Sequence, residues 1–452
     1  MDEETIVALA TPPGRGGIAV IRISGSLSES ILARTVSPLP EKLQARRSYH
    51  GTIHDGPLRI DECLALLFRA PRSYSGEDMA EISLHSNLFV IEQALALICR
   101  CGARPALPGE FTYRAFRNGK LDLLQAEAVN DLIQANSQRY SLMEFNNLEG
   151  RLSRSVAALR DALLQAAVDV ETRIEFAEDQ HIEDAAPGGG LWAASALLEQ
   201  ILSASRFNQV LNQGLNVVIA GRVNVGKSSL FNALLLKERS IISALPGTTR
   251  DYIQETLHLD GFSLRITDMA GIRSAAGDEI ENLGMQRSLD KIAQADAVIF
   301  MVDASRPLAD GDLDIYRLLA GKKRVLLANK SDLALPGAVA AIRAAFPEEA
   351  VHLVSAKNGD NLEAAIDFLK GLLRQIPDPP GATALNLRQK LLLEKLREKI
   401  ALIMGLQAGT PAPSELVAEE IRQGLGLIGE LTGAVGSEDI LRGVFAKFCI
   451  GK

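Results

Sequence analysis

Cysteine is scarce in this chain, with four in 452 residues: Cys63, Cys99, Cys101 and Cys449. Their spacing makes no metal site, and in a reducing compartment disulfides are not expected. The first three read as small core residues. Long apolar runs are missing too. Ala297 to Val302 is among the longest, far short of a bilayer span, so no membrane partner is expected. The start, Met-Asp-Glu-Glu, has no basic region and is not expected to be a signal peptide, which makes a cytoplasmic location the expectation. There is no excess of positive charge either. A formal net charge of -8 gives no electrostatic support for tight, general nucleic-acid binding, and DNA is not an expected partner. An RNA would have to meet a local basic patch or arrive through another protein. Arg100, Arg104, Arg114, Arg117 and Lys120 form one candidate patch, and Arg151, Arg154 and Arg160 another; each also reads as an ordinary solvated face. His50 and His54 lie four apart without a helical context or a partnering Glu, so zinc is not expected.

What is present is the composition of a soluble globular protein, 47% hydrophobic and 23% charged. The length predicts about two to four domains with ample core. The most informative run is Leu215 to Leu235. It reads as a buried strand (Leu215 to Ala220), then the loop Gly221-x-x-x-x-Gly226-Lys227-Ser228, then an amphipathic helix. The two glycines allow backbone angles that residues with a Cβ resist, so successive N–H groups from Asn224, Val225, Gly226 and onward to Ser229 can point at phosphate oxygens. Lys227 can reach the β- and γ-phosphates, the Ser228 hydroxyl can ligate Mg²⁺, and the helix N-terminus adds its partial positive charge. A strand before and a helix after supply the context that a chance glycine turn lacks.

The base is chosen further along, at Asn329-Lys330-Ser331-Asp332, which follows the strand-like run Arg324 to Ala328. A carboxylate at the carboxyl end of such a strand can accept from both N1–H and the 2-amino group of guanine. Adenine offers neither, and a buried unpaired carboxylate penalises it. Ser355-Ala356-Lys357, after Ala350 to Val354, fits the loop that backs the base. In this order after a phosphate loop, the motif selects GTP over ATP. Two segments read the γ-phosphate. Asp268-Met269-Ala270-Gly271 follows the strand Ser263 to Thr267, where Asp268 can hold Mg²⁺ through water and the Gly271 N–H can meet the phosphate. Gly247-Thr248-Thr249-Arg250-Asp251 can complete the Mg²⁺ shell through Thr249. Both are expected to order with GTP and relax after hydrolysis. Many small GTPases place a water-orienting Gln directly after the Asp-x-x-Gly glycine; here that residue is Ile272, which cannot do this. Glu281 is the nearest carboxylate beyond, and it reads equally as a solvated helix-start acid.

Around this α/β unit the pattern changes. Residues 1–118 mix strand-like runs (Thr5 to Ala10, Ile18 to Ile23, Glu62 to Phe68, Ala80 to His85) with a helical period at Asn87 to Arg100, an α+β pattern. From 119 to 213 the signal is strongly helical, with Leu152, Val156, Leu159, Leu163 and Ala166 on one stripe. Residues 214–376 hold the nucleotide motifs and read as a Ras-like doubly wound sheet. Pro377-Asp-Pro-Pro-Gly381 marks a boundary, and helical patterning resumes over 377–452. The economical reading is a GTPase domain inserted into one helical domain made of two sequence-distant halves.

With these residues stated, the chain resembles the MnmE (TrmE) family of tRNA-modification GTPases from end to end. The resemblance rests also on Thr11-Pro12-Pro13-Gly14-Arg15-Gly16-Gly17, Arg104-Pro105-x-x-Pro108-Gly109-Glu110-Phe111-Thr112, Lys120-Leu121-Asp122-Leu123 and the terminal Phe448-Cys449-Ile450-Gly451-Lys452. It implies K⁺-dependent hydrolysis without an arginine finger, the ion held by Asn224, Ser243, the Leu245 carbonyl and Thr248 once two GTPase domains pair. The cation would supply the electrostatic term of a guanidinium. Glu281 matches the family's water-orienting Glu. The resemblance further implies an N-terminal domain that forms the homodimer and binds 5,10-methylenetetrahydrofolate or 5-formyltetrahydrofolate, with Arg22, Glu81, Lys120 and the terminal Lys452 matching folate contacts. Basic side chains suit the folate carboxylates, and a carboxylate suits the pterin N–H donors. His85-Ser86-Asn87 departs from the family's His-Gly-Gly. Implied partners are tRNA and the FAD-dependent protein MnmG in a heterotetramer. The implied reaction attaches an aminomethyl or carboxymethylaminomethyl group to C5 of a wobble uridine.

Cys449 admits two readings. A thiolate could attack C6 of a uracil and activate C5; or the residue simply packs where the last helix closes. The terminal Cys-Ile-Gly-Lys fits a prenylation box poorly. A rival function is also open, a regulatory or ribosome-assembly GTPase switch, which the nucleotide motifs alone fit equally well. The first 118 residues and Cys449 have no evident purpose in such a switch.

Overall fold

The computed structural model describes residues 4–175, 189–204, 211–212, 214–238, 254–268, 291–376, 382–408, 413–435 and 438–451. The chain divides into two compact units. The first comprises Met1–Gln134, Glu144–Ser203 and Leu385–Lys452; the second comprises Ala135–Met143 and Ala204–Ala384.

In the first unit, seven strands form one sheet: β1 (Ile6–Leu9), β2 (Gly16–Ser24), β3 (Val36–Ser37), β4 (Tyr49–Asp55), β5 (Leu58–Phe68), β6 (Met79–Ser86) and β7 (Arg104–Pro105). Their order is β3-β4-β5-β6-β2-β1-β7, antiparallel except for the β1–β7 pair. Alternation along each strand sends Ile21, Ile23, Ala65, Leu67, Ala80, Ile82 and Leu84 to one face, where they meet Ile91, Ala94 and Ile98 of helix Leu88–Arg100. Asn87 caps that helix, its side chain accepting from the Phe89 N–H. The predicted strands and this helix are all present. The β4 strand, the helix Ser28–Thr35 and the helix Glu110–Arg117 are additional, and their short or polar patterns gave periodicity little to register.

The rest of this unit is helical. The predicted stripe of Leu152, Val156, Leu159, Leu163 and Ala166 lies along helix Arg151–Glu175 and is buried throughout. It packs with Leu191, Ala194 and Leu198 of helix Gly189–Ala204, with Leu393, Leu396 and Ile400 of helix Leu387–Ala408, and with Val417, Ile421 and Ile428 of helix Ser414–Thr432. Residues more than 200 positions apart therefore share one core, which is the physical content of an interrupted helical domain.

The second unit holds β8 (Leu215–Ala220), β9 (Gln254–Leu259), β10 (Phe262–Asp268), β11 (Ala297–Asp303), β12 (Lys323–Asn329) and β13 (Val351–Val354), in the order β13-β12-β11-β8-β10-β9. All neighbours are parallel except the edge strand β9, which pairs antiparallel with β10. The central strands are largely apolar because both faces are covered. Parity divides them. Val217, Ile219, Ile299, Met301, Val325 and Leu327 face Leu230, Phe231 and Leu234 of helix Lys227–Glu238 and Leu369 of helix Glu363–Leu373. Val218, Ala220, Val298, Phe300, Leu326 and Ala328 face Ile342 of helix Pro336–Ala345, with Phe346 just beyond it. This is a doubly wound α/β sheet.

Ala135–Met143 joins this second unit although it lies in sequence between helices of the first. The Ser137 hydroxyl donates to the Leu211 carbonyl at 2.6 Å, the Arg139 N–H to the Gly261 carbonyl at 3.2 Å, and Tyr140 and Met143 are in the core. No helix of the described residues is long and apolar enough to cross a membrane.

Candidate functional site

The chain order reverses around β8, with β10 on one side and β11 on the other, and ligands of open α/β sheets bind beyond the carboxyl ends of strands at such a point. The loop leaving β8 there is sterically constrained. Gly221 takes φ +151° and Gly226 φ +101°. A Cβ on Gly221 would collide with the Met301 carbonyl oxygen, and one on Gly226 with the Asn329 amide, so both positions admit only glycine. Asn224, at φ 65°, occupies the left-handed region that Asn tolerates best among residues with a side chain. Lys227 is buried, and its ammonium donates to the carbonyls of Gly221 (2.8 Å) and Arg222 (2.7 Å), which hold it over the loop. Ser228 and Ser229 are in the first turn of helix Lys227–Glu238, and both are exposed. A cradle closed to any Cβ, followed by a lysine and a helix N-terminus, suits the phosphates of a nucleotide.

Two further loops end beside it. Asn329 is buried at the end of β12. Its amide donates to the Val225 carbonyl at 2.7 Å and accepts from the Ala356 N–H at 2.9 Å, so one side chain ties the phosphate loop to the Ser355–Lys357 loop. Lys330 follows in a left-handed conformation, φ 64° and ψ 43°. The buried Ser355 hydroxyl donates to Oδ1 of Asp332 at 2.8 Å, which orients an otherwise exposed carboxylate. Lys357 is exposed. Asp268 ends β10 in register with Ile219 of β8, at the same edge of the sheet. Ser243, Leu245, Thr248, Thr249, Gly271 and Glu281 lie outside the described residues, as does Lys452. One residue of this edge escaped the sequence reading. Asp303, which closes β11, pairs with Lys330 at 2.6 Å. A carboxylate ending a fully apolar run was the available signal.

A second constellation lies in the first unit. Arg22 and Glu81 face each other across β2 and β6, and the Arg22 Nε donates to the Glu81 carboxylate at 2.9 Å. The guanidinium lies 5.2 Å from the Tyr74 ring centroid and 5.8 Å from that of Phe111, and it donates to the Gly451 carbonyl at 3.4 Å. The terminal segment therefore folds back onto β2. Gly451, at φ +98°, lies so close to the Leu9 carbonyl that a Cβ would not fit, while Phe445 and Phe448 pack on Tyr113, Phe116 and Leu123. Gly109 backs the same turn, its N–H donating to the Cys449 carbonyl at 3.5 Å. Cys449 itself is exposed. Lys120 is exposed too, and its ammonium donates to the Pro71 carbonyl at 3.1 Å. The departure at Ser86 has a use. Its hydroxyl donates to the Gly14 carbonyl at 2.7 Å and so pins the glycine-rich loop.

The first basic cluster is not a free patch. Arg104 grips Glu110 through two bonds of 2.8 and 2.6 Å, and the buried Arg114 bonds Glu77 (2.9 Å) and Glu110 (3.0 Å). Burial alone would raise the Glu110 carboxyl, but the two guanidiniums and the Leu107 N–H hold it below the usual range. Arg100 pairs with Asp55. These three arginines are paired with carboxylates of the same chain. In the second cluster Arg160 bonds Asp161 and Arg154 donates to the Glu149 carbonyl.

A doubly wound sheet with this phosphate loop and this Asn-Lys-x-Asp edge defines a P-loop GTPase. The profile of the GTP-binding protein TrmE N-terminus matches residues 5–120, and that of the MnmE helical domain matches 123–449. Relatives described as tRNA modification GTPase MnmE are 39% identical in Geobacter metallireducens (100% of this chain, 99% of theirs), 40% in Syntrophus aciditrophicus (100% of both) and 36% in Thermotoga maritima (99% and 100%). Among solved structures, Aquifex aeolicus Era bound to GDP and aluminium fluoride is 28% identical over 42% of this chain and 67% of its own, with a TM-score of 0.29. The chain belongs to the MnmE family of tRNA modification GTPases.

Proposed function

We propose that this chain is the GTP-hydrolysing subunit of a complex that attaches an aminomethyl or carboxymethylaminomethyl group to C5 of the wobble uridine of tRNA. A folate supplies the carbon, the partner is the FAD-dependent MnmG, and the chain acts as a homodimer within a heterotetramer in the cytoplasm. The observation that carries this reading is the return of the terminal Phe448–Gly451 turn to Arg22, beside Glu81 and Tyr74. A guanidinium and carboxylate on an aromatic floor suit a folate, and the exposed Cys449 lies in the same turn. A GTPase switch has no use for such an arrangement.

In this reading Lys227, Ser228, Thr249, Asp268 and Glu281 carry hydrolysis and Asp332 selects guanine. Mg²⁺ is held by Ser228 and Thr249, and K⁺ by Asn224, Ser243, Leu245 and Thr248. The bound ions supply positive charge where negative charge develops on the transferring phosphoryl group. Hydrolysis drives the domain movements that the modification requires. Binding of 5-formyltetrahydrofolate by calorimetry separates the alternatives. The reading expects saturable binding, weakened about tenfold or more by Arg22→Ala through loss of a charge-assisted bond. Absence of binding to the intact chain would favour the switch.

A further inference from the structure

We propose that Asp303 is a positioning residue of the guanine site, acting through Lys330. Its carboxylate divides its two oxygens between separate tasks. Oδ1 accepts from the Ser305 N–H (2.9 Å) and the Ser305 hydroxyl (2.6 Å), while Oδ2 accepts from the Lys330 ammonium at 2.6 Å. Neither side chain is freely solvated, with side-chain exposures of 14% for Asp303 and 27% for Lys330. Burial alone would raise the carboxyl of Asp303, but the ammonium and the Ser305 donors hold it below the usual carboxylate range, so it carries its charge at neutral pH.

The backbone around the pair is fixed from several directions. Asp303 and Asn329 are register partners at the carboxyl ends of β11 and β12. The Ala304 N–H donates to the Asn329 carbonyl at 2.8 Å, and the Leu335 N–H to the Ala304 carbonyl at 3.0 Å. Lys330 itself is left-handed, which turns its side chain out of the strand direction toward β11. A free lysine has four rotatable bonds, and immobilising it on a ligand costs affinity. Asp303 fixes the ammonium beforehand, so that Lys330 meets a nucleotide at the Asn329–Asp332 edge with this cost already met.

A simpler role is conceivable for Oδ1 alone, because a carboxylate accepting from the backbone two residues on is a common turn device. That role leaves Oδ2 without a task. The two accounts differ in one respect: a turn-former acts whether or not residue 330 is a lysine, whereas a positioning residue acts only if it is.

The test is a double-mutant cycle on the full chain, read by fluorescent N-methylanthraniloyl-GDP binding and by steady-state GTP hydrolysis. Asp303→Asn is expected to raise Kd about tenfold and to raise KM with kcat nearly unchanged. In a Lys330→Gln background the same change should add less than about twofold. Asp303→Glu should recover part of the loss. An unchanged Kd for Asp303→Asn, or equal losses in both backgrounds, would overturn the proposal. Should Asp303→Asn fail to fold by far-UV circular dichroism, Ser305→Ala serves in its place. It is expected to weaken binding about two- to threefold only where Lys330 is present, and equal effects in both backgrounds overturn the idea. The proposal rests on this edge being a guanine-nucleotide site. An intact chain that bound no fluorescent GDP would refute that reading, whereas normal binding with additive losses would refute the role of Asp303 alone.

Discussion

Single residues carry the strongest constraints in this chain, and Gly226 shows how. Its φ of +101° and the Asn329 amide pressed against it leave no room for a methyl group. Gly226→Ala must displace Asn329, which links the phosphate loop to the Ser355–Lys357 loop. Nucleotide affinity is expected to fall by about a hundredfold, because both Asn329 hydrogen bonds break and backbone strain of about 1–3 kcal/mol is added. Fluorescent GDP titration measures this, and circular dichroism should show the fold retained. His85 supplies a pH-dependent test. The hydrogen bond to Asp61 (2.9 Å), then the charge of that carboxylate, raise the imidazole pKa. The bonded imidazolium thus contributes stability below the unfolded pKa that is lost as pH rises through the folded one. An NMR titration should place His85 above about 6.5, and Asp61→Asn should return it there. Asp131 has the opposite chemistry and the same sign. Burial, with the Glu127 charge adding to it, pushes its carboxyl up to about 6 against the bonds from Asn386 and Asn130. The folded chain therefore holds this proton more tightly than the unfolded one, and stability from this group falls as pH rises from about 4 to 6. Asp131→Asn should stabilise the first unit at pH 7.5 by about 1–3 kcal/mol and have little effect at pH 4, as thermal melts would show.

Elements are held together by a few buried polar joints between apolar layers. The clearest is where the chain re-enters the first unit at Leu385. Arg388 donates to both oxygens of Glu127 at 2.7 Å and to the carbonyls of Glu430 and Leu431, which caps the end of helix Ser414–Thr432. Gln389 donates to the same carboxylate at 2.7 Å. Arg388→Met would leave a buried carboxylate short of its counter-charge and is expected to cost about 3–5 kcal/mol. A urea melt with a midpoint like that of the unaltered chain would show the joint to be dispensable. Much of this level was legible in the sequence. The stripe through Leu152 and Ala166 and the apolar runs of β8 and β11 were visible because burial on one face or two leaves a period in the sequence. The joint was not, since Glu127 and Arg388 are 261 residues apart and each reads locally as a solvated charge. Arg104 and Arg114 misled for the same reason: a sequence shows the charge of an arginine but not the carboxylate that neutralises it. Ala135–Met143 escaped because its helical character does not say which core it joins.

At the scale of the molecule, residues 204–384 interrupt in sequence a helical core that is continuous only in space, and Ala135–Met143 joins the nucleotide unit from outside that run. The phosphate loop was readable because backbone-cradled phosphates need glycines at fixed spacing, and the Asn-Lys-x-Asp edge because it follows that loop in a fixed order. The link from the chain terminus to Arg22 was not readable from spacing, being a contact over 429 residues. It also supplies the argument for a modifying enzyme over a switch. Nucleoside mass spectrometry of bulk tRNA tests that claim most directly, in cells carrying this chain, cells lacking it, and cells carrying only Cys449→Ser. The account predicts that C5-modified wobble uridine disappears without the chain, and the Cys449 variant reports whether the thiol takes part. Unchanged wobble uridine in cells lacking the chain would contradict the account and leave a GTPase whose target lies elsewhere.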